Sequence, residues 1–219
     1  MTDTLTRQEA SDAVSDLGWR FVLGALRAFV PVVSLDEAVE VAMLAVDEGG
    51  PGLRLDLRPD RVALTLEAPL TAEEVDAARR ISAAMAEMGR PTRPDADAPR
   101  SVQALEIAID ALDIPSVLPF WRAVLGYVDE PGSGDSPNAV IDPVGQGPAV
   151  WFQQMDAPRP QRNRIHIDVS VPHDAARGRI DAALAAGGRL LNDAQAPAFW
   201  VLADPEGNEA CVCTWQGRD

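Results

Sequence analysis

The sequence contains no lysine, so all 19 basic residues are arginines. A Schiff-base or general-base lysine is therefore excluded, and the bias toward Arg, Ala, Gly and Pro is typical of a GC-rich bacterial genome. Only two residues are histidines. No apolar run approaches the roughly 20 residues of a membrane-spanning helix, and the first residues lack the basic and apolar segments of a signal peptide. We therefore expect a cytoplasmic protein.

Cysteine and positive charge are also scarce. The two cysteines, Cys211 and Cys213, lie two residues apart on one predicted strand, where geometry disfavours a disulfide between them. We expect reduced, buried thiols, as the cytoplasm favours. Acidic residues outnumber basic ones by 34 to 19, which gives a formal net charge of −15. This charge repels phosphate backbones and argues against nucleic-acid binding.

The remaining composition, 47% hydrophobic and 24% charged, is that of a globular protein. Residues 90–101 are rich in proline and contain no large apolar residue and no periodic pattern. This predicts a linker between a first domain of residues 1–89 and a second domain of residues 102–219.

Capping boxes predict three helices in the first domain. In each, Ser or Thr is followed three residues later by Glu, at Thr6–Glu9, Ser34–Glu37 and Thr71–Glu74. Apolar residues alternate over two strand pairs between these helices. The predicted order is α-β-β-α-β-β-α, a four-stranded sheet with helices on one face.

This order resembles the pterin-4a-carbinolamine dehydratase family over roughly residues 4–88. The segments that carry the likeness are Leu17 to Trp19, Phe29 to Val41 and Pro69 to Asp76. The resemblance implies that the first domain has a dehydratase-like fold.

The catalytic histidines of that family have no counterpart here. The family's His-His-Pro sequence corresponds to Gly49-Gly50-Pro51, and its third histidine falls near Leu66. Neither glycine nor leucine can transfer a proton. We therefore expect no dehydratase activity, and we interpret the domain as a structural, dimerising or ligand-sensing module.

The segment from Arg162 to Val171 is the most informative part of the second domain. Its apolar residues alternate strictly with Arg164, His166, Asp168 and Ser170, which predicts a half-buried strand with one polar face. The elements around this strand follow the order βαβββ twice, so the sequence contains an internal repeat of about 60 residues.

The repeat resembles the vicinal-oxygen-chelate (VOC) superfamily over roughly residues 102–216, and more narrowly the glyoxalase-like proteins of actinobacteria. The likeness is carried by Phe120 to Gly126, Arg162 to Asp168 and Asp204 to Asn208. Members include glyoxalase I, extradiol dioxygenases, fosfomycin-resistance enzymes and metal-free bleomycin-binding proteins. The resemblance implies an α+β fold of paired βαβββ modules and a site, but not which reaction occurs there.

The resemblance also implies three positions for metal ligands. Two fall on Glu106 and His166, and the third falls on Cys211, where Glu or His is usual. Glu209 lies two residues earlier on the same face and would complete an open site for a divalent metal. Without a metal, Glu106 and His166 would be an acid–base pair, or His166 would hydrogen-bond to Asp168 or Arg164 and shape a metal-free pocket.

Four further residues are candidates for substrate binding: Trp151, Phe152, Arg164 and Asp168. Trp151 and Phe152 point to opposite faces of a strand, so one of them should face the pocket and stack on a flat ligand. The segment from Asp204 to Asn208 predicts a β-turn that directs the last strand.

Three classes of function remain open. One is a glyoxalase-type enzyme of the lyase or isomerase class that acts on a small oxygen-bearing substrate, with or without a divalent metal. The second is a non-catalytic module that binds or senses a small molecule. The third is a purely structural protein in which the first domain drives dimerisation. Glyoxalase-like sheets often complete their pocket in pairs, so the resemblance also implies a homodimer.

Overall fold

The computed structural model describes residues 4–95, 101–131, 134, 136–158 and 165–217. The chain divides into two compact units, Met1–Ala104 and Leu105–Asp219. Within the described ranges, no helix has both the length and the apolar character that crossing a membrane requires.

The first unit has the α-β-β-α-β-β-α order that its sequence predicts. Its elements are α1 (Arg7–Val14), β1 (Arg20–Val22), β2 (Ala25–Pro31), α2 (Leu35–Gly49), β3 (Leu53–Leu57), β4 (Arg61–Leu66) and α3 (Ala72–Glu87). The strands form one antiparallel sheet in the order β1-β2-β4-β3. Alternate residues of β2 and β4, such as Leu26 and Leu64, are buried in a core shared with the helices, so the helices cover one face of the sheet.

Two of the three predicted capping boxes are complete. The Thr6–Glu9 and Thr71–Glu74 pairs exchange hydrogen bonds in both directions. At the start of α2, Ser34 Oγ accepts from the backbone N–H of Glu37 at 3.2 Å. The Glu37 carboxylate accepts from the N–H of Val33 at 2.9 Å and pairs with Arg90 at 2.6 Å. That carboxylate therefore links the helix start to the segment after α3.

The segment after α3 is built into the first unit through buried hydrogen bonds. Trp19 Nε1 donates to Ser82 Oγ at 2.9 Å, and Ser82 lies 3.0 Å from the hydroxyl of Thr92. Thr92 Oγ1 donates to the carbonyl of Leu17 at 2.5 Å. Gly18 has φ +84°, and a Cβ at this position would lie 2.2 Å from the Thr92 carbonyl oxygen. This contact accounts for the glycine between Leu17 and Trp19.

The second unit consists of two βαβββ modules. The first contains β5 (Glu106–Ala111), α4 (Ile114–Leu125), β6 (Val128–Asp129), β7 (Ala139–Ile141) and β8 (Ala149–Gln154). The second contains β9 (Ile167–Ser170), α5 (Ala176–Ala185), β10 (Arg189–Asn192), β11 (Phe199–Ala203) and β12 (Glu209–Cys213). The sheets have the orders β5-β8-β7-β6 and β10-β11-β12-β9. The first strand of each module therefore lies at a sheet edge.

The strand expected around His166 is shorter than its sequence pattern predicts. β9 begins at Ile167, where Ile167 pairs with Ala210 of β12. His166 precedes the strand and is exposed, and Arg162 to Arg164 lie outside the described residues. The alternation itself is confirmed, since Ile167 and Val169 are half-buried whereas Asp168 is exposed.

Candidate functional site

A cavity of about 620 Å³ lies between β5, the residues around the start of β9, and the turn that leads into β12. Its apolar lining comprises chiefly Ile107, Ile109, Leu112, Trp121, Met155 and Ile167. Its polar lining comprises Asp110, Glu206, Asn208 and Glu209. Three acidic residues and one asparagine are thus among the residues that line this cavity.

Asp204 organises the turn that forms one side of this cavity. Its carboxylate is fully buried and accepts from the backbone N–H groups of Glu206 and Asn208, each at 2.9 Å. Asn208 Nδ2 and Trp121 Nε1 also donate to it, at 2.9 and 3.0 Å. The N–H of Gly207 donates to the Asp204 carbonyl at 3.1 Å, which confirms the β-turn expected here.

Glu206 connects the same turn to the start of α4. Its two carboxylate oxygens accept from the backbone N–H groups of Leu112 at 2.9 Å and Asp113 at 2.7 Å. Asp113 is the N-cap of α4 and accepts from the N–H of Ser116 at 3.3 Å. The backbone N–H groups of Leu112 and Asp113, in the first module, are therefore hydrogen-bonded by Glu206 of the second module.

Cys211 is buried beside Asp168 on the neighbouring strand. The two residues are register partners between β12 and β9, and Cys211 is 6% exposed. Burial, followed by a hydrogen bond to Asp168 and its charge, raises the pKa of the Cys211 thiol from 9.0 to about 12. The thiol is therefore protonated near neutral pH.

Residues 106–213 match the family described as a glyoxalase-like domain. The second unit is a glyoxalase-like domain. The match runs from β5 to β12 and confirms the resemblance to the VOC superfamily. The dehydratase-like character of the first unit stays a prediction. No curated protein sequence matches the chain.

Several solved structures resemble the glyoxalase-like domain. A glyoxalase/bleomycin resistance protein/dioxygenase family enzyme from Burkholderia phytofirmans is 19% identical, covering 50% of this chain and 95% of its own, with a TM-score of 0.37. A glyoxalase-related enzyme from Fulvimarina pelagi is 19% identical; the match covers 51% of this chain and 87% of that enzyme, with a TM-score of 0.39. The fosfomycin resistance protein FosX from Listeria monocytogenes, in complex with Mn(II), is 12% identical. The match covers 50% of this chain and 89% of FosX, with a TM-score of 0.40.

The expected metal ligands of the glyoxalase-like domain do not form a ligand set. Glu106 is the exposed first residue of β5, His166 is exposed ahead of β9, and Glu209 lines the cavity. Among the described residues, no three His, Cys, Asp or Glu side chains are grouped so that they could hold a metal ion. As arranged, the described residues therefore do not fit the implied divalent metal.

The expected substrate-binding residues of the domain have different environments. Phe152 is 2% exposed and packs in the core, while Trp151 is half-buried on the opposite face of β8. Neither ring lines the cavity. Asp168 is exposed and hydrogen-bonded to Cys211, and Arg164 lies outside the described residues.

Sequence reasoning missed two carboxylates of the cavity wall, Asp110 and Glu206. Asp110 follows Glu106 and Ala108 in the alternation of β5, so the polar face of that strand was a usable signal. Glu206 is the variable residue of the Asp-Pro-x-Gly-Asn turn, and nothing in the turn pattern indicates where its side chain reaches.

Proposed function

We propose that the glyoxalase-like domain binds a small oxygen-bearing molecule in the cavity beside β5, and that this binding does not require a metal. The observation that carries the proposal is the cavity itself. Its volume of about 620 Å³ falls within the range of about 300–1,000 Å³ that is usual for small-molecule sites.

The polar groups of the cavity indicate which ligand it would accept. Asp110 and Glu209 are carboxylates, which only accept hydrogen bonds when ionised. Hydroxyl groups of a ligand would donate to them, while its carbon skeleton would contact Ile107 and Ile167. A neutral molecule with two or more hydroxyl groups and a compact apolar part is therefore the preferred class.

A metal-assisted enzyme of the lyase or isomerase class is the second candidate. The observation that favours it is that Glu209 lines the cavity, two residues before Cys211, on which the third ligand position falls. FosX binds Mn(II) in its solved complex. The exposed positions of Glu106 and His166 do not support this candidate.

Calorimetry on the full chain separates the two candidates. The protein would be titrated with a panel of small diols, hydroxy acids and phenols, catechol among them, after dialysis against a chelator and again with added MnCl₂. We expect binding that is independent of Mn(II) and of His166→Ala, but is weakened by about tenfold in Glu209→Gln. Glu87→Gln removes an equal charge from an exposed position on α3 and serves as the control.

Two results of this titration would contradict the metal-free proposal. Binding that appears only with Mn(II), and that His166→Ala abolishes, would replace the metal-free proposal by the enzyme. Absence of binding across the panel, with or without Mn(II), would count against both candidates.

We further propose that the first unit mediates a homodimer. The exposed face of α2 carries Leu35, Val39, Met43 and Val46, which are between 46% and 67% exposed. Such a continuous apolar face on a helix is typical of an interaction surface. The molar mass from light scattering should correspond to two chains in the wild type and to one chain in Met43→Glu.

A further inference from the structure

The first unit carries a groove of about 310 Å³ on the face of its sheet that points away from the helices. The side chains that define it are Arg27, Phe29, Arg58, Arg61 and Thr65, and the chain at Val102 and Gln103 borders it. All of these residues belong to the first unit, so a ligand of the groove would not depend on the function proposed for the glyoxalase-like domain.

Arginines lie side by side across the strands next to Arg27, which lines the groove. Arg20 of β1 pairs in register with Arg27 of β2, and Thr65 of β4 lies between Arg27 and Arg54 of β3. Directly opposed residues share a face of the sheet, and like charges in that position destabilise it. The row therefore carries an electrostatic cost, which Glu67 offsets in part by pairing with Arg54. An anion bound at Arg27 would offset more of it.

Arg27 is the member of this row whose hydrogen bonds are least satisfied. Its Nε is buried and has no hydrogen-bond partner among the described residues, and its Nη1 reaches Thr65 Oγ1 only at 3.4 Å. Burial lowers the pKa of Arg27 and the charge of Arg54 adds to this effect, while Glu67 opposes it. A partly buried guanidinium with spare donors is a ready partner for an oxyanion.

The other groups of the groove suit an organic anion better than an inorganic one. The guanidinium carbon of Arg61 lies 5.7 Å from the ring centroid of Phe29, so an aromatic face is held in the groove. Arg58 pairs with Asp56 at 3.0 Å and Arg61 with Asp60 at 2.6 Å. Such exposed ion pairs are worth little, so a ligand could exchange for the carboxylates.

We propose that this groove binds a small organic anion, with its carboxylate or phosphate on Arg27 and its apolar part against Phe29. The volume of about 310 Å³ is at the lower end of the range for ligand sites, which limits the ligand to about one ring and one anionic group. Arg58 and Arg61 would supply further donors to the same anionic group.

The test is calorimetric titration of the full chain with phenyl phosphate, benzoate and benzylamine. We expect saturable binding of at least one of the two anions and none of benzylamine, which has the same ring but a positive charge. The tighter of the two anions identifies the preferred oxyanion group. Arg27→Gln should weaken the binding by about tenfold or more, and Arg61→Gln should weaken it less.

Arg79→Gln is the charge-matched control, because Arg79 is exposed on α3 and pairs with Asp76 at 2.8 Å. It should leave the affinity within about twofold. Thermal melting shows whether Arg27→Gln folds, and we expect its melting temperature to be at least equal to that of the wild type. Phenyl phosphate should raise the melting temperature of the wild type but not that of Arg27→Gln. Absence of saturable anion binding, equal binding of benzylamine, or equal loss in Arg27→Gln and Arg79→Gln would each overturn the proposal.

Discussion

Trp121 of α4 donates a hydrogen bond of 3.0 Å to Asp204, which lies 83 residues further along the chain, and both side chains are buried. The bond joins the helix of the first βαβββ module to the turn of the second. Glu206 makes a second connection from the same turn to the backbone at Leu112 and Asp113. The wall of the cavity is thus fixed by contacts between the two modules of the glyoxalase-like domain.

Trp121→Phe tests the first of these connections. The ring remains but the N–H donor is lost, so a buried carboxylate oxygen of Asp204 loses one of its two side-chain donors. We expect the free energy of unfolding to fall by about 1–3 kcal/mol, measured by urea denaturation. Trp215→Phe is the control, because Trp215 is 63% exposed and its N–H donates to His173, which is also exposed. An equal fall in the free energy of unfolding for both substitutions would show that the bond from Trp121 to Asp204 stabilises the protein no more than an exposed hydrogen bond does.

Local patterns predicted most of the secondary structure. The capping boxes predicted the starts of the helices, since the Ser or Thr that caps a helix acts within one turn. At Ser34, however, the Glu37 carboxylate bonds to Val33 and Arg90 instead of closing the box. Arg90 is more than 50 residues from Glu37, and a local motif contains no information about such a partner.

The candidate site was less predictable, because it depends on contacts between modules. The alternation around His166 correctly assigned Asp168 and Val169 to opposite faces, but periodicity does not determine where pairing with β12 begins. That pairing starts at Ile167, so His166 is left outside the strand. Glu206 reaches the backbone of α4 from the other module, and its role follows only from the tertiary structure.

Glu206→Gln tests the second connection between the modules. The neutral amide offers one acceptor oxygen in place of two, so either Leu112 or Asp113 loses its partner and both lose the charge of the acceptor. We expect a loss of about 1 kcal/mol in the free energy of unfolding, and faster hydrogen exchange at these two amides. Unchanged exchange at both amides would show that these bonds do not hold the start of α4.

The thiol of Cys211 should be unreactive at neutral pH. Its pKa is raised to about 12 by burial first and then by Asp168, and the thiolate is the reactive form. Iodoacetamide labelling followed by mass spectrometry should show slow modification of Cys211 in the native protein and fast modification after denaturation. Asp168→Asn should accelerate native labelling at high pH, because it removes a negative charge that opposes ionisation.

The same pKa sets the direction of a pH effect on stability. The folded-state pKa of Cys211, about 12, lies above its ordinary value of 9.0. The contribution of the protonated thiol to stability is therefore complete below pH 9.0 and is lost as the pH rises toward 12. The loss between these values should be smaller in Cys211→Ser, measured by urea denaturation at each pH. Identical pH profiles would contradict the assignment.

Two glycines of the first unit allow the cost of a steric contact to be separated from that of backbone conformation. Gly18 and Gly24 have similar φ angles, +84° and +73°, but only a Cβ at Gly18 would meet another atom, the carbonyl oxygen of Thr92 at 2.2 Å. Gly24→Ala should cost about 1–2 kcal/mol for the left-handed backbone alone.

Gly18→Ala carries the same conformational cost and must in addition displace Thr92, whose hydroxyl bonds to Ser82 and Leu17. We therefore expect a loss of about 3 kcal/mol or more for Gly18→Ala in urea denaturation, together with a change in the fluorescence of Trp19. Equal costs at the two positions would mean that residues 91–93 can move away from Gly18 without loss, and that the Thr92 contacts do not stabilise the first unit.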